Sequence, residues 1–275
     1  MFYPIAKIIA DSINPSGDRL TTFVLTYHRM IHSEFMTHRM LSKNASSSRA
    51  IPVEKMIAKV IADDVYPLFW GKNKKGMSTD EEVDIQALND AELIWAIQRE
   101  DAIIAAKKLA AIGIHKQVVN RLLEPFSTIT VICSGTEYQN FFNQRCHPDA
   151  QPEMQALANA MKAEYDASIP NQLSAGEWHI PFIDGKDWVE STDYGYVEED
   201  LIKVAIGRCA RVSYLNHDGI RNLSDDTKLY WRLRDSKPAH LSPFEHCAMA
   251  LPNSEKRANF TGFESYRHQL EQKGI

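Results

Sequence analysis

Two apolar stretches rich in β-branched residues, RLTTFVLTYHRMI at 19–31 and STITVICSG at 127–135, read as strands, and the sequence between them is largely helical in its spacing. The first strand runs directly into HSEFMTHRM, which suits a short helix. GKNKKGMSTDEEV, residues 71–83, has the composition of an exposed loop and offers Ser78 or Thr79 as the N-cap of a helix to follow. From Asp90 to about Ala111 apolar residues recur at helical spacing, with Gly113 as a natural C-cap. A further helix, HKQVVNRLLEPF, is cut off at Pro125. After the second strand, TEYQNFFNQR and QPEMQALANAMKAEYDAS read as helices interrupted by CHPDA. Residues 169–195 are irregular and aromatic, VEEDLIKVAIGRCARVSYL is helical, and SDDTKLYWRLRDS is a short helix capped by Ser224. Helices and strands mix without strict βαβ alternation, so the chain is predicted to be α+β, a mixed sheet with flanking helices.

Charge narrows the function. A formal net charge of -5 over 275 residues argues against a protein that coats nucleic acid, so any phosphate site must be local. No apolar run approaches the roughly 20 residues that span a bilayer. The N-terminus MFYPIAKIIADS lacks the layout of a signal peptide, and the protein is expected in the cytoplasm, with neither membrane nor nucleic-acid partner. Cys133, Cys146, Cys209 and Cys247 have no CxxC spacing; they read as buried thiols, and no metal site is expected.

Three clusters carry chemistry. THRMLSKNASSSR, Thr37 to Arg49, gathers Arg39, Arg49 and a serine run that suits one bound phosphate, or else is a solvated loop. Neither GxxxxGK[ST] nor GxGxxG occurs, and GxSxG is also missing. AHLSPFEHCAMAL places His240, Glu245 and His246 around a Ser-Pro turn. HExxH spacing is absent, so a helix-to-strand corner with hydrogen-bonded polar groups is the stronger reading. Around Arg121 and YQNFFNQRC, Asn140 and Gln144 fall at i and i+4 on one helix face with Arg145 nearby. Such a face can read a heterocycle's carbonyls, or simply meet water.

Together these clusters resemble the flavin-dependent thymidylate synthases. The family pattern RHRxxSxNxxSxR is met at His38, Arg39, Ser42, Asn44, Ser47 and Arg49, and a family-like segment runs from CARVSYLNHDG to HLSPFEH. The family order places SPFEH before the RHR segment; here it follows, which looks like a circular permutation within a single domain spanning 1–275. The resemblance implies that Ser47 and Arg49, with the neighbouring backbone, contact the phosphate of dUMP, that Ser48 and Arg121 also reach the dUMP, and that Arg145 pairs with the uracil edge, making Arg145 and Ser47 the catalytic candidates. Glu34, Thr37 and Gln144 would also face the substrate. Flavin contacts would fall on His38, Arg39, Ser134, Gly135, Thr136, Asn140, His240 and Ser242. It further implies FAD as hydride donor, NADPH as electron source, methylenetetrahydrofolate as one-carbon donor, and a homotetramer with shared sites.

Four positions depart from the pattern. Thr37 replaces the first arginine of RHR, Glu34 a glutamine, Ala45 a glutamate, and Gln144 an apolar residue. Gln144 offers a donor and an acceptor at the base edge, so a dUMP or dCMP hydroxymethylase is the alternative, and a non-catalytic nucleotide-binding protein is the second. Segments 71–83 and 169–195 have no counterpart in the resemblance.

Overall fold

The computed structural model describes residues 1–193, 195, 197–214 and 222–275, with side chains up to 212 in the third of these. Residues 215–219 of the CARVSYLNHDG segment lie outside them. β1 (Ile5–Ile13) and β2 (Arg19–His28) form an antiparallel hairpin. At its turn the fully buried Asn14 accepts from the Ser16 and Asp18 amides and donates to the carbonyls of Leu251 and Gly262. Gly262 sits at φ +72, where a Cβ would lie 2.3 Å from Asn14 Nδ2, so this junction with the C-terminal region requires glycine.

β2 leads through α1 (His32–Met36) to β3 (Ser42–Ala45), then to α2 (Val53–Asp63), the long α3 (Ile85–Ala111) and α4 (Lys116–Val119). A 3₁₀ turn, Asn120–Phe126, enters β4 (Thr128–Gly135), followed by α5 (Gln139–Arg145) and α6 (Pro152–Ala167). After β5 (Asn171–Gln172) and β6 (Trp178–His179) come α7 (Gly185–Asp193), α8 (Glu198–Tyr214) and α9 (Leu223–Arg234). A 3₁₀ turn at Ser242–His246 precedes β7 (Ala248–Ala250), β8 (Lys256–Arg257), β9 (Phe260–Thr261), β10 (Phe263–Ser265) and α10 (Tyr266–Gln272).

The central sheet runs β3-β4-β2-β1-β5, antiparallel except for the β1/β5 pair. This is the mixed sheet with flanking helices that the sequence predicts. Strand alternation sends Phe23, Leu25 and Tyr27 to one face, where they pack with Phe141 and Phe142 of α5 and Met154, Leu157 and Met161 of α6. Val24 and Ile132 point the other way, against Cys209 and Val212 of α8. The helical stretch between the strands closes its own core, with Met56, Val60, Ile103 and Leu123 buried together.

Several boundaries differ from the sequence reading. The α3 N-cap is Asp84, whose side chain accepts from Ala87 N, not Ser78 or Thr79. Residues before it are held in a paired loop, with Lys72 N bonded to Glu81 O at 2.8 Å. The α9 cap is Asn222 rather than Ser224. HKQVVNRLLEPF is a single helical turn followed by a 3₁₀ segment that contains Pro125 rather than ending before it. The irregular region holds the helix α7, anchored by Asp187. The SPFEH segment is the expected helix-to-strand corner.

Beneath that corner runs a buried polar chain: Ser12 Oγ, His179 Nδ1 and Nε2, Thr22 Oγ1, Ser134 Oγ and His246 Nδ1, in links of 2.6–2.9 Å. Burial pushes both imidazoles down from an ordinary value of 6.5 to about 3. The unfolded chain therefore takes up these protons first as pH falls; the stability they contribute is complete above about pH 6.5 and is lost on descending towards about 3. The melting temperature is expected to fall steadily between pH 7 and pH 5, and the double variant His179→Gln/His246→Gln to show a flatter profile. A calorimetric pH series checks this; parallel profiles would contradict it.

Candidate active site

Arg145 and His38 meet although 107 residues separate them. The last turn of α5 presents Arg145, and His38 lies just past α1, so the two helices frame one cleft. Arg145 Nε donates to His38 Nε2 at 2.9 Å. Because a guanidinium only donates, His38 must be neutral with its proton on Nδ1. Burial and the cations of Arg145 and Lys43 agree with this, bringing the imidazole down to about 4. The Phe141 ring meets His38 edge-on at 4.9 Å. Lys43 ties the same turn down, donating to the carbonyls of Phe35 and His38. With Nε committed, the two terminal nitrogens of Arg145 have no protein partner among the described residues.

The cleft measures about 850 Å³, and its walls include Thr37, His38, Arg39, Thr136, Asn140 and Gln144 as well as Arg145. Arg39 is exposed and makes no ion pair among the described residues. Gln144 Nε2 donates to Asn140 Oδ1 at 3.4 Å, so the i, i+4 face is real and opens onto the cleft. Thr37 closes the end of α1 by donating to Glu34 O at 2.7 Å. Glu34 is exposed, and its carboxylate accepts from Ser33.

Other expected residues lie elsewhere. Ser134 is wholly buried behind the cleft, its hydroxyl engaged by Thr22 and His246. Gly135 ends β4 beneath Leu41, where a Cβ would come within 2.7 Å of Leu41 Cδ2. His240 and Ser242 are exposed on the SPFEH corner and do not line the cleft. That corner nevertheless docks on the first cluster: Ser42 Oγ donates to Glu245 Oε1 at 2.7 Å across 203 positions. Asn259 and Arg267 hold the same carboxylate at 3.3 Å each.

Ser47, Ser48, Arg49 and Arg121 form a separate group beyond the far end of β3. Ser47 is half-buried with a hydroxyl that has no partner among the described residues, and Arg49 is exposed. Ser48 and Arg121 both donate to Glu124, at 2.7 and 2.9 Å, and Arg29 joins them at 2.9 Å. The motif reading missed Arg29, Glu124 and Lys43. The i, i+3 spacing of Arg121 and Glu124 was the one signal available in sequence.

A family model described as thymidylate synthase complementing protein matches residues 20–171. This is more than half of the chain, and the chain belongs to that family. The matched span contains β2, β3, β4 and α5, hence both sides of the Arg145–His38 contact, and stops before the SPFEH corner. No curated protein matches the sequence. Among solved structures, one similar chain is a UMP/dUMP methylase PolB from Streptomyces cacaoi bound with 5-Br UMP, with 13% identity, a TM-score of 0.49, and coverage of 60% of this chain and 89% of that one. Among the described residues no helix is long and apolar enough to cross a membrane.

Proposed function

We propose that this chain is a flavin-dependent enzyme that transfers a one-carbon unit from methylenetetrahydrofolate to C5 of dUMP, with NADPH as the source of electrons. The observation that carries this reading is the Arg145–His38 pair in the wall of the cleft, joining two segments that both fall within the family match. The cleft suits a flavin, since 850 Å³ lies within the range of about 300–1,000 Å³ usual for small-molecule sites. Aromatic rings of Tyr138, Phe141 and Phe142 face it, and Arg39 supplies an uncommitted cation for a pyrophosphate. His38, Arg39, Thr136 and Asn140 would hold the cofactor, which when bound supplies the hydride that completes the methyl group.

Arg145 does the work on the base. Its Nε is fixed by His38, so the free ends of the guanidinium are oriented without reorganisation and can stabilise negative charge developing on a pyrimidine carbonyl. No thiol is required for this activation, and Cys133, Cys209 and Cys247 are buried, with burial raising each thiol's pKa. Ser47 and Arg49 would bind the nucleotide phosphate. At about 3.3 Å per strand residue, β3 and its flanks separate this end from the cleft by roughly 15–20 Å, which supports a homotetramer in which a second copy contributes the phosphate end. The Ser42–Glu245 contact supports reading the displaced SPFEH segment as the product of a circular permutation.

Gln144 beside Arg145 favours one second reading, a hydroxymethylase acting on dUMP or dCMP, because an amide can pair with either base edge. The first test is the visible spectrum. Purified protein mixed with FAD is expected to retain a flavin absorbance that NADPH bleaches; a preparation that takes up no flavin would contradict the proposal and favour a non-catalytic nucleotide-binding protein.

A further inference from the structure

Glu124 Oε1 accepts from three donors on three separate segments: Ser48 Oγ at 2.7 Å, Arg29 Nη2 at 2.9 Å and Arg121 Nη1 at 2.9 Å. Arg121 also reaches Oε2 at 3.2 Å. Two guanidiniums and a serine hydroxyl converging on one oxygen is a donor set suited to a phosphate monoester. The framework holding these donors is itself hydrogen-bonded. Arg29 N donates to Ser127 O at 2.9 Å, and the fully buried Asn120 grips the carbonyls of Ser48 and Ile51 at 2.7 and 2.9 Å.

We infer that Glu124 is an internal stand-in for the nucleotide phosphate, holding Arg29, Arg121 and Ser48 together in the free protein and leaving them when the phosphate of dUMP enters. The inference rests on the proposed function in taking this end of β3 as the phosphate site, and it adds Arg29 to that site. Charge gives the direction of exchange. One carboxylate against two arginines leaves a positive excess, and the exposed Arg49 next to Ser48 makes no ion pair among the described residues. A phosphate monoester carries about 1.5 to 2 negative charges at neutral pH, so it balances three arginines better than a carboxylate does. The two anions cannot share the same donors, because like charges at contact repel. Glu124 is itself partly exposed, with 22% of its side chain accessible, so its carboxylate has a path outward. The displaced carboxylate lowers affinity for the nucleotide while keeping the arginines from repelling one another beforehand.

The experiment compares binding of dUMP and of deoxyuridine, which lacks the phosphate, to the FAD-loaded protein and its Glu124→Gln variant by calorimetry. The amide keeps an acceptor for Ser48 but removes the competing charge. Glu124→Gln is expected to tighten dUMP about tenfold while leaving deoxyuridine unchanged. Unchanged or weakened dUMP binding, or equal changes for both ligands, would overturn the inference. Should Glu124→Gln not fold, Glu124→Asp, which draws the carboxylate back from the shared donors, is expected to tighten dUMP in the same direction; no tightening overturns it equally. Arg49→Ala separates this inference from the reading beneath it. If Arg49→Ala weakens dUMP but Glu124→Gln does not tighten it, the phosphate site stands and the stand-in role of Glu124 fails. If dUMP is indifferent to Arg49→Ala, the phosphate site itself is misplaced and both fall.

Discussion

Arg145→Ala is expected to remove turnover, lowering kcat by about 100-fold or more, while the protein still binds FAD. The side chain supplies the one guanidinium that His38 orients in the cleft, and no other protein group accepts its terminal nitrogens among the described residues. Arg145→Lys is expected to recover little, because a point charge does not reproduce a fork held through Nε. A second consequence separates this role from a structural one. The Arg145 cation helps hold His38 down at about 4, so its loss should let the imidazole titrate nearer its ordinary value of 6.5. Nuclear magnetic resonance of the ring in wild type and Arg145→Ala reads that shift directly. Normal turnover in Arg145→Ala would show that the base edge has been assigned to the wrong residue.

Arg208→Ala is expected to cost about 3–5 kcal/mol of stability, the usual penalty for stranding a buried charge. Arg208 is 5% exposed and grips Asp187 through two bonds of 2.8 Å, Asp226 at 3.0 Å and the Phe182 carbonyl at 2.8 Å. Asp187 and Asp226 are each 1% exposed, so deletion of the arginine leaves both carboxylates in the interior without their shared cation, Asp187 still accepting from Asp184 N and Asp226 still paired with Arg211. This network fastens α7 and α9 to α8, and α8 forms the layer behind the central sheet. The midpoint of urea unfolding measures the effect; a change corresponding to less than about 1 kcal/mol would mean that water or rearrangement compensates the two aspartates.

The strands and helices that were readable in sequence are those whose burial follows one period. β2 and β4 pack a clean alternate face, and α3, α5, α6 and α8 show helical spacing. β1 escaped notice because a register shift between Ile8 and Ala10 breaks its alternation. α7 is short and polar, and what fixes it is Arg208, a tertiary partner 21 positions away. The two N-caps were misplaced where a nearer structural demand prevailed: the Lys72–Glu81 pairing over Thr79, and Asn222 over Ser224.

The site was legible as separate clusters and illegible as geometry. His38, Arg145, Asn140 and Gln144 stand out by type and spacing, yet only the folded chain brings the α1 turn against α5. For Ser134 a local signal existed: alternation along β4 puts Cys133 on the face packed by α5, so Ser134 must point away from the cleft. The contact of Ser42 with Glu245, and that of Arg29 with Glu124, join distant segments and have no periodic trace.

The most direct measurement incubates FAD-loaded protein with dUMP, methylenetetrahydrofolate and NADPH and identifies the nucleotide product by mass. The expected product is dTMP, formed as the flavin is bleached by NADPH and regains its absorbance when both substrates are present. Hydroxymethylated nucleotide alone, or unchanged dUMP beside a flavin that NADPH readily bleaches, would contradict it.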